Sequence, residues 1–369
     1  MTGGLIVVFG IIAMVMIHEA GHFVAAKALG MKATEFFFGF GPKLWSTRRG
    51  ETEYGVKAFP LGGYVRIVGM NPYEEVAPED FGRTYREQPF RAKAIVVLAG
   101  VASHFVVAFL LFFVVASVLG VQVSTTTVES VQATLDDGTP TPAASAGVLP
   151  GDRILSIGGV ATAEWADVVA VIVDGPGDTV DLVVERDGAS IELAVTLASI
   201  EDDEGDERGF LGVRSATVTD RAGPLEGAAD AGGAVGEATV ASATGLWRMV
   251  TGFGGLIQAV ISGDAERIDE TRPASPIGLV RIGAETEELG IGFTLELLAL
   301  VNVFVGLFNV VPIYPLDGGH FAVALYEKIR GRQADVRKLA PVAAVVVAFM
   351  VVLGVLAIYL DITNPFSLR

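Results

Sequence analysis

Four long stretches of this chain carry no charged side chain, and they govern what it can fold into. They are residues 1–17, 94–128, 297–316 and 339–360. Each reaches or approaches the roughly 20 residues that an α-helix needs to cross about 30 Å of hydrocarbon. The first stretch lacks a basic start and a small-residue cleavage pattern, so it is expected to be a retained span rather than a signal peptide. The whole chain has 369 residues, 51% hydrophobic and only 19% charged. Its mean hydropathy is +0.53. That balance excludes a disordered chain and does not suit an ordinary soluble enzyme.

Basic residues are unevenly spread. Residues 27–93 hold eleven lysines and arginines and residues 328–338 hold five more, whereas 122–290 contain no lysine and include the acidic run Glu201-Asp202-Asp203-Glu204. Lysine and arginine favour the cytoplasmic side of a membrane. The two basic segments are therefore expected inside, the acidic one outside, and four spans then place both termini outside. The net charge of −17 excludes general binding to nucleic acid. There is no cysteine, so thiolate zinc sites, iron–sulfur clusters, disulfides and cysteine nucleophiles are ruled out.

The first stretch runs directly into His18-Glu19-Ala20-Gly21-His22. Positions i and i+4 share one face of a helix. Two imidazoles so placed can bind one Zn²⁺, with Glu19 beside them as a base for a bound water. A catalytic zinc needs a third protein ligand and an open position. The candidate is Asp317, in Pro312-Ile313-Tyr314-Pro315-Leu316-Asp317-Gly318-Gly319-His320. A carboxylate at the end of a hydrophobic span is costly and needs a partner. Pro312 and Pro315 should break the third helix, and irregular backbone at membrane depth survives only inside protein or beside water. Depth agrees: His18 lies 13 residues after Leu5, roughly 20 Å along a helix, and Asp317 follows about one span length of chain. Both are expected towards the inner face.

With these residues the chain resembles the site-2 protease family of intramembrane zinc metalloproteases. It is most similar to the bacterial branch of the regulator of sigma-E protease and its actinobacterial relatives. The match rests on His18-Glu19-x-x-His22, Asn309-x-x-Pro312, Leu316-Asp317-Gly318, Gly39-Phe40-Gly41-Pro42 and Phe59-Pro60-Leu61-Gly62-Gly63-Tyr64-Val65. The resemblance implies His18, His22 and Asp317 as zinc ligands, Glu19 as general base and Asn309 as a substrate-positioning or oxyanion-stabilising residue. One departure stands out: many relatives carry Asn in a G-x-x-x-N pattern in the second span, where this chain reads Gly100-Val101-Ala102-Ser103-His104. No role is carried over to that position, and His104 is expected to pack or hydrogen-bond.

Between the first two spans, residues 36–40 read as an apolar strand ending in a turn at Gly41-Pro42, and 53–59 and 64–68 as further strands. The resemblance implies that this region re-enters the membrane from the cytoplasmic side as a β-loop. A free strand edge there, with Gly62, Gly63 and Tyr64, can hold an unwound substrate by β-addition. Outside, residues 125–198 look like a PDZ domain. The run Ala146-Gly147-Val148-Leu149-Pro150-Gly151-Asp152-Arg153-Ile154 carries that likeness, with a helix expected at 165–173 and a hairpin at 179–197. PDZ domains bind peptides by strand addition. Residues 201–207 read as an acidic linker, 210–213 as one more strand, and 242–262 as an interfacial amphipathic helix on the outer face.

The expected architecture is a polytopic α-helical membrane protein with four transmembrane helices, a membrane re-entrant β-loop and an inserted extracytoplasmic PDZ domain. Its segments are 1–30, span one with the zinc motif; 31–90, the β-loop; 91–121, span two; 122–200, the PDZ domain; 201–290, linker, strand and interfacial helix; 291–338, span three with Asp317 and a cytoplasmic stretch; and 339–369, span four. The expected protein sits in a bacterial plasma membrane. The resemblance implies that it hydrolyses peptide bonds inside the transmembrane segment of a single-span protein already trimmed outside, such as an anti-sigma factor or a remnant signal peptide. Its partners are that substrate, the lipid bilayer and a peptide or substrate ectodomain at the PDZ domain.

Overall fold

The computed structural model describes residues 2–71, 74–135, 137–201, 205–263, 268, 274–286 and 290–363. The helices are α1 (Thr2–Ala28), α2 (Phe90–Val114), α3 (Pro142–Ala146), α4 (Trp165–Val173), α5 (Pro224–Ser262), α6 (Pro276–Glu285), α7 (Ile291–Val310), α8 (Asp317–Arg330) and α9 (Ala340–Thr363). The strands are β1 (Ala33–Arg49), β2 (Thr52–Ile67), β3 (Val121–Val131), β4 (Arg153–Ile157), β5 (Val160–Ala161), β6 (Thr179–Arg186), β7 (Ala189–Thr196), β8 (Ala198–Glu201), β9 (Glu207–Phe210) and β10 (Val213–Asp220). The chain divides into two compact units, residues 1–119 with 222–369, and residues 120–221.

Among the described residues of the first unit, four helices are long and apolar enough to cross a membrane: Thr2–Ala28, Phe90–Leu119, Ile291–Val310 and Ala340–Thr363. The second uncharged stretch runs on to residue 128, but span two was expected to end near residue 121. It leaves the helix at Leu119, and Gly120, at φ 84°, turns the chain into β3. Its last residues are Ser, Thr and Val, which lack charge but favour strands. The third helix ends at Val310 before the two prolines, and α8 starts at Asp317.

These helices meet at backbone distance. A Cβ on Gly21 of α1 would lie 2.6 Å from the Ala99 carbonyl oxygen of α2, and one on Gly3 would lie 1.9 Å from the Gly283 oxygen of α6. Small residues permit such approach between membrane helices. The Asp361 carboxylate near the end of α9 accepts from the Ser275 and Gly278 backbone N–H groups at 2.8 and 3.2 Å, capping α6.

The helix expected at 242–262 is the second half of α5, which begins at Pro224. Ala238 packs with Ala108 of α2 and Ala299 and Val303 of α7, while Leu256 and Ala259 pack with Leu360 of α9. It is therefore a helix bound to three others rather than one lying alone on a membrane surface. Its first half is rich in glycine and alanine, which give no amphipathic stripe but do allow close packing.

Strands β1 and β2 pair antiparallel around Gly50, whose φ is 62°. The register is doubled: Phe36 faces both Val65 and Tyr54, and Phe37 faces both Tyr64 and Gly55. The first half of β1 thus lies between the two halves of β2, and the strip 63–67 forms an edge. The turn expected at Gly41-Pro42 falls inside β1, so the strands are longer than the apolar runs suggested. Ala26, Met31, Ala33, Ile67, Val96 and Val97 form the buried cluster that ties this sheet to α1 and α2.

The second unit is built on a sheet of order β10-β3-β4-β6-β7, with β5 on β4 and β8-β9 as a separate hairpin. Its core includes Val128, Ile154, Ile157, Val168, Leu182, Val184, Val195 and Leu197. It extends past the expected end at residue 200 to Arg221, because β10 returns to pair with β3 through Val213↔Val131 and Val218↔Val123. The flanks of the expected acidic linker form the β8-β9 hairpin, with Glu201 opposite Glu207. Asp202, Asp203 and Glu204 lie outside the described residues. Residues 210–213 do not form one strand; they join β9 to β10.

Asp152, 1% exposed, accepts from Arg186 Nε and an Arg186 terminal nitrogen at 2.7 Å each and from the Leu149 N–H at 2.9 Å. The Arg186 hydrogen bonds hold its carboxyl below the usual carboxylate range, against the upward push of burial. A carboxyl depressed in the folded state stabilises above its unfolded pKa of about 3.9. That contribution is lost as pH falls through the lower folded value. Asp152→Ala is expected to cost about 2–3 kcal/mol, read as faster hydrogen exchange in peptides from 120–221 of the full chain at pH 7. The wild-type and variant difference should shrink below pH 3. A difference that stayed constant down to pH 2 would contradict the ion-pair account.

Candidate metal centre

Two helices and the break between α7 and α8 build the centre. His18 and His22 sit one turn apart on α1. Asp317 occupies the first position of α8, where the helix dipole favours a carboxylate. The first turn of α8 presses onto the broken segment: a Cβ on Gly318 would lie 2.1 Å from the Val310 oxygen, and one on Gly319 would lie 2.4 Å from the Tyr314 nitrogen. The Gly-Gly pair after Asp317 is thus a packing requirement that seats the carboxylate.

The three donor atoms converge. His18 Nε2 and His22 Nε2 are 3.1 Å apart. Asp317 Oδ2 is 3.3 Å from the first and 3.2 Å from the second. All three side chains are largely buried. His22 Nδ1 donates to the Val96 carbonyl oxygen at 2.8 Å, so in a neutral ring its Nε2 holds a lone pair. Asp317 Oδ2 is buried and has no hydrogen-bond partner among the described residues. Electron pairs crowded this closely repel unless a cation lies among them. Donors held 2.0–2.1 Å from a tetrahedral Zn²⁺ stand roughly 3.3–3.4 Å apart, so this triangle fits one face of a zinc coordination shell.

Glu19 does not join the triangle. Its Oε2 accepts from the Val65 backbone N–H at 2.9 Å, on the edge strip of β2. Gly63 on that strip leaves space for α1, since a Cβ there would lie 2.8 Å from Met16 Sδ and 3.5 Å from Glu19 Cγ. Gly62, at φ 133°, lies beside Phe40. The Tyr64 ring stacks on Phe37 and Phe40, and its hydroxyl bonds to Glu35 and Lys57. Burial and the Glu35 bond hold that hydroxyl above its ordinary pKa, so it stays protonated. Tyr64 therefore belongs to the support of the sheet, whereas the Gly63–Val65 backbone faces the centre. Asn309, half-buried in the last turn of α7, makes no side-chain hydrogen bond among the described residues and is not joined to the triangle by any described contact.

One pair escaped the sequence reading in part. His104, 2% exposed, has its Nδ1 3.3 Å from Oδ1 of Asn302, itself 1% exposed. The His104 ring lies 4.8 Å from that of His18. Hydrogen bonding of His104 was expected. Asn302 was missed, though an amide inside a hydrophobic span signals an interhelical contact.

Comparison with known proteins agrees with this chemistry. The model of peptidase family M50 matches residues 6–353. Zinc metalloprotease Rip1 of Mycobacterium tuberculosis is 33% identical over 402 residues, covering 100% of this chain and 98% of that protein. The Rip1 of Mycolicibacterium smegmatis is 34% identical, covering 97% and 96% respectively. The PDZ domain of an SdrC-like protein from Listeria monocytogenes is 26% identical, covering 26% of this chain and 94% of its own, with a TM-score of 0.20. The chain belongs to peptidase family M50, the site-2 protease family, and is a zinc metalloendopeptidase.

Proposed function

We propose that this multi-pass membrane protein cuts its substrate within the bilayer, hydrolysing a peptide bond in the transmembrane segment of a protein already trimmed outside. The observation that carries this reading is the triangle of His18, His22 and Asp317 at 3.1–3.3 Å, set at the end of one apolar helix and just beyond another. In this reading those three residues hold Zn²⁺. When bound, the ion supplies Lewis acidity and lowers the pKa of water towards about 7.

The chain's own residues do the rest. Glu19 takes the proton of the attacking water and returns it to the leaving amine. Asn309 steadies the reacting carbonyl. A helical substrate hides its peptide bonds, so it must unwind first. The edge strip of β2, with Gly62, Gly63 and Tyr64, receives the unwound segment as an added strand. Phe40, Leu44, Trp45 and Phe59 at the sheet's far end are 43–69% exposed, which favours a sheet that dips into lipid. By the distribution of basic residues, the centre faces the cytoplasmic side of the plasma membrane and residues 120–221 lie outside. That unit acts as a PDZ domain. Its groove, lined by Thr125, Thr127, Trp165, Ala166, Val169 and Val173, suits a peptide or substrate ectodomain. The sequence run 146–154 supports this assignment.

The test uses the full chain in detergent with a trimmed single-span substrate, and mass spectrometry to locate the cut. The expected cut lies within the span, stops on chelation and returns with Zn²⁺. Cuts confined to segments outside the span would overturn the intramembrane reading.

A further inference from the structure

The two histidines of the centre are supported unequally. His22 Nδ1 donates to the Val96 carbonyl, whereas His18 Nδ1 is buried and has no partner among the described residues. A ligating histidine keeps its orientation by giving its outer N–H to an acceptor. His18 therefore needs one.

The ring of His104 lies alongside, its centre 4.8 Å away and its plane tilted by 34°. His104 Nε2 is likewise buried, with no hydrogen-bond partner among the described residues. Its tautomer follows from the next bond in the chain. Asn302 Nδ2 donates to the Leu298 carbonyl at 2.8 Å, which leaves Asn302 Oδ1 to face His104 Nδ1. An oxygen accepts, so His104 Nδ1 carries the hydrogen and, in a neutral ring, Nε2 carries the lone pair. With His18 Nε2 turned to the shared point, its Nδ1 is the N–H. A buried donor and a buried acceptor thus stand side by side, each lacking what the other offers. No hydrogen bond joins the two nitrogens in this structure, so the pairing takes a small rotation of one ring or a single bridging water.

We propose that His104 is a positioning residue: its Nε2 takes up the His18 Nδ1–H, and Asn302 sets the tautomer that makes this possible. Gly306 lets α7 come close enough, since a Cβ there would lie 2.9 Å from that of His104. The proposal rests on His18 being a zinc ligand.

The test titrates metal-free, full-length protein in detergent with Zn²⁺ against a fluorescent chelator, and melts the metal-free form in parallel. His104→Phe keeps the bulk and removes the acceptor, and Asn302→Leu frees the tautomer. Both are expected to weaken zinc binding about 10–100-fold with the metal-free melting temperature unchanged. His104→Gln, which offers an amide oxygen near the site of Nε2, should stay within about threefold of wild type. Wild-type affinity in His104→Phe, or equal losses in the Phe and Gln variants, would show that His104 only packs and would overturn the proposal. If His104→Phe fails to fold, Asn302→Leu decides alone by the same criterion. A wild type that binds no zinc, or binds it equally well after His18→Ala, would instead overturn the ligand assignment beneath, and this proposal with it.

Discussion

Glu19→Gln leaves zinc in place and removes cleavage. The side chain lies next to the donor triangle without being part of it, so replacing its carboxylate by an amide takes no ligand from the ion. The swap also preserves the local fold, because a Gln amide oxygen can accept the Val65 N–H that Glu19 Oε2 accepts at 2.9 Å. What the variant loses is the ability to take a proton. General-base assistance contributes about 10²–10⁴-fold, so kcat should fall by that factor. KM should hold, because the lost interaction belongs to the transition state. The measurement pairs zinc content with single-turnover cleavage of a membrane-anchored substrate. A variant with full zinc and a rate within tenfold of wild type would remove Glu19 from its role.

The parts of this centre that were legible in the chain are those encoded over short distances. His18 and His22 need only helical spacing to share a face, and Asp317 announces itself as a carboxylate after two prolines in an uncharged stretch. The spans were legible for the same reason, since each is set by its own hydropathy. What was not legible depends on residues far apart. The return of β10 to β3 unites positions 213 and 131, and no local pattern encodes that pairing. The length of α5 was hidden because alanine and glycine reveal a helix only through the neighbours they allow. The contact of Glu19 with a backbone N–H at Val65 has no side-chain signature at all. His104 and Asn302 show an intermediate case. Each is conspicuous as a polar group among apolar ones, but their partnership needs two helices in register.

Gly100→Ala is expected to disable the centre from the neighbouring helix without replacing a functional side chain. A Cβ at this position would lie 2.2 Å from His22 Nε2, 2.3 Å from Cε1 and 2.8 Å from Cδ2. Carbon contacts are comfortable only near 3.5–4.0 Å, so the ring or the helix must shift by more than about 1 Å. Neither has room. The ring is pinned by its bond to the Val96 oxygen, one turn back on the same α2 that carries Gly100. The helices already touch through Gly21 and the Ala99 carbonyl. The intrinsic helix preference runs the other way, because alanine is favoured over glycine by about 1 kcal/mol in a helix. Loss of function would thus come from displacement of His22, and misplacement of a reacting group by about 1 Å can cost 10²-fold in rate. Cleavage should fall by about that factor, and zinc content should fall with it. Gly236→Ala on α5, where nothing lies within 4 Å of the added carbon, should leave both unchanged. If Gly100→Ala retained wild-type zinc and activity, α2 could not approach His22 as closely as described, and the triangle would have to be assembled differently.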